Sequence, residues 1–358
     1  MTVIKSQKVF FKGKHSLRKR ISYAIIFLLK GGIILKKSII ALDIGGTKVL
    51  GALFDNDFNI LARKKKSTKA YEGVETILGQ ISKVISKLLE AAEEKELEVV
   101  AIGAGVPGVI KDGIVLFTPN LPWNHYPLSD EIEKIFKIPV IIGNDANVSL
   151  LGEWGHGIAR DTVNTIGFFV GTGVGGGIII EKKIYTGNIG LAGEIGHITL
   201  NPDGIICGCG SRGCLESYSS KTGILKYIQS QIRHGRDCLL KDELLEEEGD
   251  YILRSSTIKE VLEKGDACMT EAVEIAAKYL GVAVASTLNI LNPEMVVFGG
   301  GLVEALESDF VNKIKTYVSL YSVPHATDNC TFQISTLGDD ACLFGALTLV
   351  EDRMSSQV

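Results

Sequence analysis

Three cysteines, Cys207, Cys209 and Cys214, fall within eight residues, and His197 lies ten positions ahead of the first. Three thiolates and an imidazole suit a closed, tetrahedral zinc site. The glycines among them (Gly208, Gly210, Gly213) let the backbone turn tightly enough for four donors to reach one ion. Glu194 and Glu216 flank these ligands. A metal that fixed this segment would therefore hold two carboxylates in place as well.

A second candidate for chemistry is the pair Asn144-Asp145, which follows the apolar run 139–143. Val148, Leu151 and Trp154 then recur at helical spacing, which places Asp145 near a helix N-cap. A carboxylate there can cap the helix. It can also act as general base toward a sugar hydroxyl attacking phosphorus, because that hydroxyl is too weakly acidic to attack well unaided. Glu153, on the same helix, is left out of the site as structural.

The third candidate is a set of glycine turns. Asp43–Lys48 closes an apolar strand: Gly45 and Gly46 permit close approach to phosphate, while Thr47 and Lys48 offer a hydroxyl and a charge. Asp43, at the strand end, could hold a hydrated Mg²⁺ beside that phosphate. Gly171, Thr172 and Gly173 recur in the corresponding place of the second half, and Gly299, Gly300 and Gly301 end a later strand. Two stretches, 103–108 and 171–176, match G-x-G-x-x-G, but strand-like residues follow both, so the dinucleotide fingerprint is rejected. No Walker-type G-x-x-x-x-G-K-[ST] occurs.

These residues need elements to hold them. Strands are predicted over 38–43, 48–54 and 58–62, a helix over 74–89, and a strand over 99–102. The order repeats: a strand over 165–170, a glycine-rich turn over 171–177, a strand over 178–180, and another from Ile184. A buried helix over 271–288, a strand over 295–298 and a last helix from about Ala341 complete the second half. The pattern implies an α/β duplication, with two similar domains facing each other and both glycine turns lining one cleft.

Composition limits the alternatives. The chain has 358 residues with 46% hydrophobic and 22% charged, which is ordinary globular material for roughly two domains. Cys238, Cys268, Cys330 and Cys342 are scattered, so no disulfide framework is visible and a reducing cytoplasm is expected. Residues 1–42 carry ten Lys/Arg and no acid, leaving a body of 28 basic against 42 acidic residues. An acidic body argues against nucleic-acid binding. The apolar stretch 21–29 is too short to span a bilayer, and no cleavage site follows it. Residues 1–37 are expected to be an extension outside the fold. For 1–34 the expectation goes further: Lys30-Gly31-Gly32 can be encoded as a ribosome-binding sequence, with Leu35 as an alternative start.

With these motifs in order, the chain resembles the ROK family of repressors and sugar kinases, and within it most of all the bacterial glucokinases of the actin-like ATPase superfamily. The resemblance spans about residues 38–350. It rests on Asp43–Lys48, Gly103–Gly108, Asn144-Asp145, Gly171–Gly175, Glu194–His197, Cys207–Glu216 and Gly299–Gly301. It implies two RNase H-like domains around a central cleft: a smaller one of residues 38–141 plus 341–354, and a larger one of 142–340 with the zinc motif. It implies ATP- and Mg²⁺-dependent phosphorylation of a hexose 6-hydroxyl, with glucose first and N-acetylglucosamine, N-acetylmannosamine, mannose, allose or fructose as alternatives. Asp145 would be the catalytic base. Asn120, Asn144, Glu194, His197 and Glu216 would bind the sugar, and His197 would share its ring with a structural zinc held by Cys207, Cys209 and Cys214. The three glycine turns would hold ATP. A homodimer or homotetramer without a membrane partner is the family expectation. The rival is a sugar-responsive repressor, which carries a DNA-binding helix-turn-helix ahead of the first glycine turn; the residues before the first strand show no such two-helix pattern.

Overall fold

A computed structural model describes residues 36–246 and 251–355. Residues 1–35 of the expected extension lie outside the described residues, while Lys36 and Lys37, expected to belong to it, pair with Leu97 and Glu98 and start the first strand two residues early. Thirteen strands and ten α-helices follow within them. The first half runs β1 (Lys36–Ile44), β2 (Lys48–Phe54), β3 (Ile60–Ser67), α1 (Val74–Glu94), β4 (Leu97–Val106), the short strands β5 (Val109–Lys111), β6 (Ile114–Phe117) and β7 (Asn124–Tyr126), α2 (Leu128–Phe136), β8 (Val140–Asn144) and α3 (Asp145–His156). The second runs β9 (Thr165–Val170), β10 (Val174–Ile180), β11 (Lys183–Ile184), α4 (Glu216–Ser219), α5 (Lys221–Arg233), α6 (Lys241–Glu246), α7 (Ser255–Glu263), α8 (Ala267–Leu291), β12 (Met295–Gly299), α9 (Gly301–Tyr321, kinked at Glu307), β13 (Thr331–Ile334) and α10 (Ala341–Ser355).

The duplication is written in the sheets. One has the order β3-β2-β1-β4-β8 and the other β11-β10-β9-β12-β13. In each, the first three strands pair antiparallel and the last three parallel. The tight turns fall in matching places: Ile44 pairs with Val49 around the first, and Val170 with Val174 around the second. This is the RNase H-like plan of actin-like ATPases, used twice. β5, β6 and β7 form a separate small sheet inserted after β4.

α3 and α10 lie between the two large sheets. Val148 of α3 packs with Leu343, Ala346 and Leu347 of α10 onto Ala41, Ala52 and Phe54 of the first sheet. Leu150 of the same helix packs with Ile179 and Val297 of the second. The two helices cross at backbone contact, because a Cβ on Gly345 would lie 1.6 Å from the Val148 carbonyl oxygen, and one on Gly152 2.1 Å from that of Ala341. Glu153 is fully buried and structural, as expected. Its carboxylate accepts from the Ser335 and Thr336 hydroxyls and from the backbone N–H groups of Ile158 and Leu337, tying α3 to the segment that enters α10. Among the described residues, one helix, Ala267–Leu291, is long and apolar enough to cross a bilayer. It is a core helix of the second half, with Ala276, Leu280 and Val284 fully buried.

The structure corrects several sequence expectations. The turn expected over 171–177 ends at Gly173, and Gly175–Gly177 belong to β10. They are glycines because of close packing: a Cβ on Gly175 would lie 2.8 Å from Ala146 Cβ, and one on Gly176 2.5 Å from Ile195 Cδ1. The third strand starts at Ile60, since Phe58 adopts a left-handed φ of 64° in the preceding turn, and it extends through the basic run to Ser67. The strand expected over 99–102 runs from Leu97 to Val106, and the helix expected from Glu271 begins at Ala267.

The helix crossing makes a direct prediction. Gly345→Ala should destabilise the protein by about 3 kcal/mol in urea unfolding, because the backbones must separate. Gly79→Ala, on α1 with nothing within 4 Å of the new methyl group, should instead stabilise by about 0.5–1 kcal/mol.

Candidate active site

Asp145 is the first residue of α3, not its cap. Asn144 holds the cap: its Oδ1 accepts from the Asn147 N–H at 3.0 Å, and its Nδ2 donates to the Gly108 carbonyl at 3.0 Å. Asn and Asp are nearly equal as N-caps, so sequence alone does not separate them. The division of labour leaves Asp145 free of capping. One carboxylate oxygen accepts from the adjacent Ala146 N–H at 2.9 Å. Burial raises the Asp145 pKa to about 6; the Ala146 hydrogen bond opposes the shift, and the charges of Asp43 and Glu194 add to it. Burial also raises Glu194, with His197 opposing and Glu216 adding. Asp43 is raised by burial against the pull of Lys48.

The first glycine turn is held from below by Thr68, whose hydroxyl donates to the Gly45 carbonyl and whose N–H donates to that of Thr47. Asn120 comes from the β6–β7 loop to this turn; a Cβ on Gly46 would lie 3.4 Å from Asn120 Cβ. Beside the turn, a cavity of about 450 Å³ is lined by Thr47, Lys48, Lys65, Lys66 and Ser67. The second turn, Gly171–Gly173, is packed from two sides. Gly300 (φ 85°) sits so close to Val170 that a Cβ would meet its backbone at 2.6 Å, which brings the Gly299–Gly301 turn alongside. From α5, Lys221 N–H donates to the Gly171 carbonyl and the Thr222 hydroxyl to that of Thr172. These residues open onto a cavity of about 290 Å³ that is also lined by Leu225, Tyr251 and Leu253.

His197, Cys207, Cys209 and Cys214 converge as expected, with their donor atoms all within 4.8 Å of one another. His197 Nδ1 lies 3.7 Å from Cys207 Sγ, and Cys209 Sγ 3.7 Å from Cys214 Sγ. Sulfurs around a tetrahedral zinc at about 2.3 Å stand about 3.8 Å apart, so the donor set fits that ion without rearrangement. Nδ1 is the ring nitrogen beside the Cys207 sulfur. At Cys209 burial disfavours the thiolate, but the Ser211 N–H and the neighbouring thiols outweigh it and lower the pKa to about 7. Glu216 joins this cluster to the second turn: Oε2 accepts from the Val174 N–H at 3.0 Å, and Cys207 Sγ lies 3.7 Å from Oε1.

Four residues near the site carry no motif in the sequence. Glu304, in the first turn of α9, and Asp339 interact with each other's charge, and Lys48 opposes the rise that burial gives Glu304. Cys342 of α10 is buried against Asp43 and Asp145, where a Cβ on Gly105 would strike its sulfur. Lys221 is the fourth. The only available signal was the acid pair Asp339-Asp340 ahead of the last helix.

Residues 39–353 match the ROK family. A glucokinase of Halalkalibacterium halodurans is 34% identical over 88% of this chain and 96% of its own length. A xylose repressor of Caldicellulosiruptor bescii is 32% identical over 89% of this chain and 79% of its own. Among solved structures, a ROK glucokinase from Streptomyces griseus in complex with glucose and AMPPNP has a TM-score of 0.72 at 31% identity, covering 86% of this chain and 97% of that one. The chain belongs to the ROK family, and its two-sheet architecture is the actin-like ATPase fold of that family's kinases.

The Asp145 environment has a stability consequence. Its pKa is higher folded than unfolded, so the charged form destabilises the fold above pH 6, and the penalty vanishes below the ordinary carboxylate pKa of 3.8. Asp145→Asn should therefore raise stability by up to about 2–3 kcal/mol at pH 8. That gain should fade between pH 6 and 3.8 in thermal or urea unfolding.

Proposed function

We propose that this sugar kinase transfers the terminal phosphoryl group of ATP to the 6-hydroxyl of glucose, with Asp145 as general base. The observation that carries the reading is the Asp145 carboxylate itself. It stands at a helix start, is spared from capping, and has a pKa near 6. A base poised there is ionised at neutral pH yet basic enough to take a proton.

In this reading the sugar lies over Glu194, His197 and Asn120, with Asn144 and Glu216 at its edges. Asp145 removes the proton as the hydroxyl oxygen attacks phosphorus in line, and the electron pair of the breaking bond leaves on ADP. The N–H groups of Gly45 and Gly171 close their own turns onto the Lys48 and Gly173 carbonyls, so those of Gly46, Thr47, Thr172 and Gly173, with Lys48, would hold the phosphates. The cavity beside Thr172 and Lys221 takes the nucleoside, and the Gly299–Gly301 turn closes against it. Asp43 would hold a Mg²⁺ ion, whose charge would offset that of the phosphates; Asp43 and Glu304 each feel the opposing charge of Lys48 and the like charge of Asp339. Zinc would be structural, on His197, Cys207, Cys209 and Cys214.

The cleft is taken to lie between residues 38–141 with 341–354 on one side and 142–340 on the other. The enzyme is expected in the cytoplasm as a homodimer or homotetramer. The Streptomyces griseus enzyme, solved with glucose and AMPPNP, supports both ligands. The rival reading, a sugar-responsive repressor, draws on the xylose-repressor relatives. The assembled base and phosphate turns favour catalysis over binding alone.

Three measurements test the reading. Glucose should give the highest kcat/KM in a panel of hexoses with ATP; operator DNA binding without ATP turnover would replace the kinase with the repressor. Asp145→Asn should lower kcat by about 10²–10⁴-fold with little change in sugar affinity, and wild-type kcat/KM should fall about tenfold per pH unit below pH 6. Metal analysis should find one zinc per chain, lost together with sugar affinity in Cys209→Ser; a zinc-free wild-type protein refutes the metal assignment.

A further inference from the structure

Asn147 stands two residues past Asp145 on α3 and is only 6% exposed. Its Oδ1 is buried and accepts no hydrogen bond. The side chain has no part in starting the helix, because Asn144 supplies the cap. It points instead at the turn before Glu194. A Cβ on Gly193 would lie 3.1 Å from Asn147 Oδ1 and 3.2 Å from the Gly176 carbonyl oxygen. Gly193 has φ of 87°, so it is required both by its conformation and by this confined space.

The turn presents the complementary deficit. The Gly193 carbonyl accepts from Ile195 N–H at 2.7 Å, and the Glu194 carbonyl from His197 N–H at 3.0 Å. The N–H groups of Gly193 and Glu194 donate to nothing among the described residues. An orphan buried acceptor therefore lies beside two unused donors. Leaving such groups unpaired is costly, and a small shift of the turn would pair them.

We infer that Asn147 is a positioning residue for Glu194: with sugar bound, its Oδ1 accepts a hydrogen bond from the Glu194 backbone N–H and fixes the carboxylate against the sugar hydroxyls. The inference rests on the hexose-kinase reading, in which Glu194 contacts the sugar. It assigns the side chain a task that neither capping nor core packing explains. Helix position is what makes the task possible: α3 carries the base at its first residue and the latch at its third. One rigid element thus sets both the proton acceptor and the sugar contact.

The test separates positioning from structure. Asn147→Ala should raise the sugar KM about 10–100-fold, with kcat changed less than about threefold and the ATP KM unchanged. Asn147→Asp keeps an oxygen at the same reach and should restore the sugar KM to within about fivefold of wild type. Its added charge beside Asp145 should move the acid limb of kcat/KM to higher pH. Amide hydrogen exchange on the unmodified protein needs no variant: the Glu194 amide should slow at least tenfold when glucose is added. A sugar KM within twofold of wild type in Asn147→Ala, or a Glu194 amide indifferent to glucose while the enzyme turns it over, overturns the inference and leaves the kinase reading standing. A wild-type chain that phosphorylates no hexose overturns both.

Discussion

The site depends on the crossing of α3 and α10 at backbone contact. Gly152 and Gly345 bring the helices closer than any side chain allows, and Gly103 lets the Ala346 carbonyl approach β4 within the space of a missing Cβ. Three elements are therefore locked by contacts that tolerate no drift. α3 also packs Leu150 on the second sheet, so one twelve-residue helix is registered against both halves. Asp145, at its first turn, inherits that registration. The buried Glu153 completes the lock from the other end, and its four donors satisfy the buried carboxyl oxygens.

The cleft concentrates negative charge. Asp43, Asp145, Glu194, Glu216, Glu304 and Asp339 act on one another, and Lys48 is the cation that opposes them at both Asp43 and Glu304. Such an arrangement is unfavourable for stability, and it adds to the burial that raises the Asp145 pKa to about 6. The same excess calls for a divalent cation before a polyphosphate could enter. Backbone N–H groups at two glycine turns supply donors without adding side-chain charge. The electrostatics thus favour a ligand that brings its own metal ion.

The duplicated strands are legible in the sequence because apolar runs end in glycine turns at matching places in both halves. The zinc-type cluster is legible because its ligands are close in the chain and chemically distinctive. The assignments that fail share one cause, which is tertiary packing. Gly175–Gly177 read as a turn until Ala146, Ile195 and Leu150 fill the space their side chains would need. The basic run of β3 resembles a solvated loop, yet antiparallel pairing with β2 carries it to Ser67. Asn144 and Asp145 are interchangeable as caps on paper, and only the hydrogen bond to Asn147 separates them. Glu304, Asp339, Lys221 and Cys342 reach the site from separate elements of the chain, so no local pattern announces them.

Glu216 couples the His197 and cysteine cluster to the second glycine turn. One oxygen accepts from Val174 N–H at the end of the second glycine turn, and the other faces the Cys207 thiol. Gly173 must lack a side chain there, because a Cβ would lie 2.4 Å from Glu216 Oε2. A displacement of the cysteine loop is therefore felt at the turn through a single carboxylate. His197 carries the same coupling to Glu194 by charge. Through Glu216 the cysteine loop and the second glycine turn therefore hold one another in place.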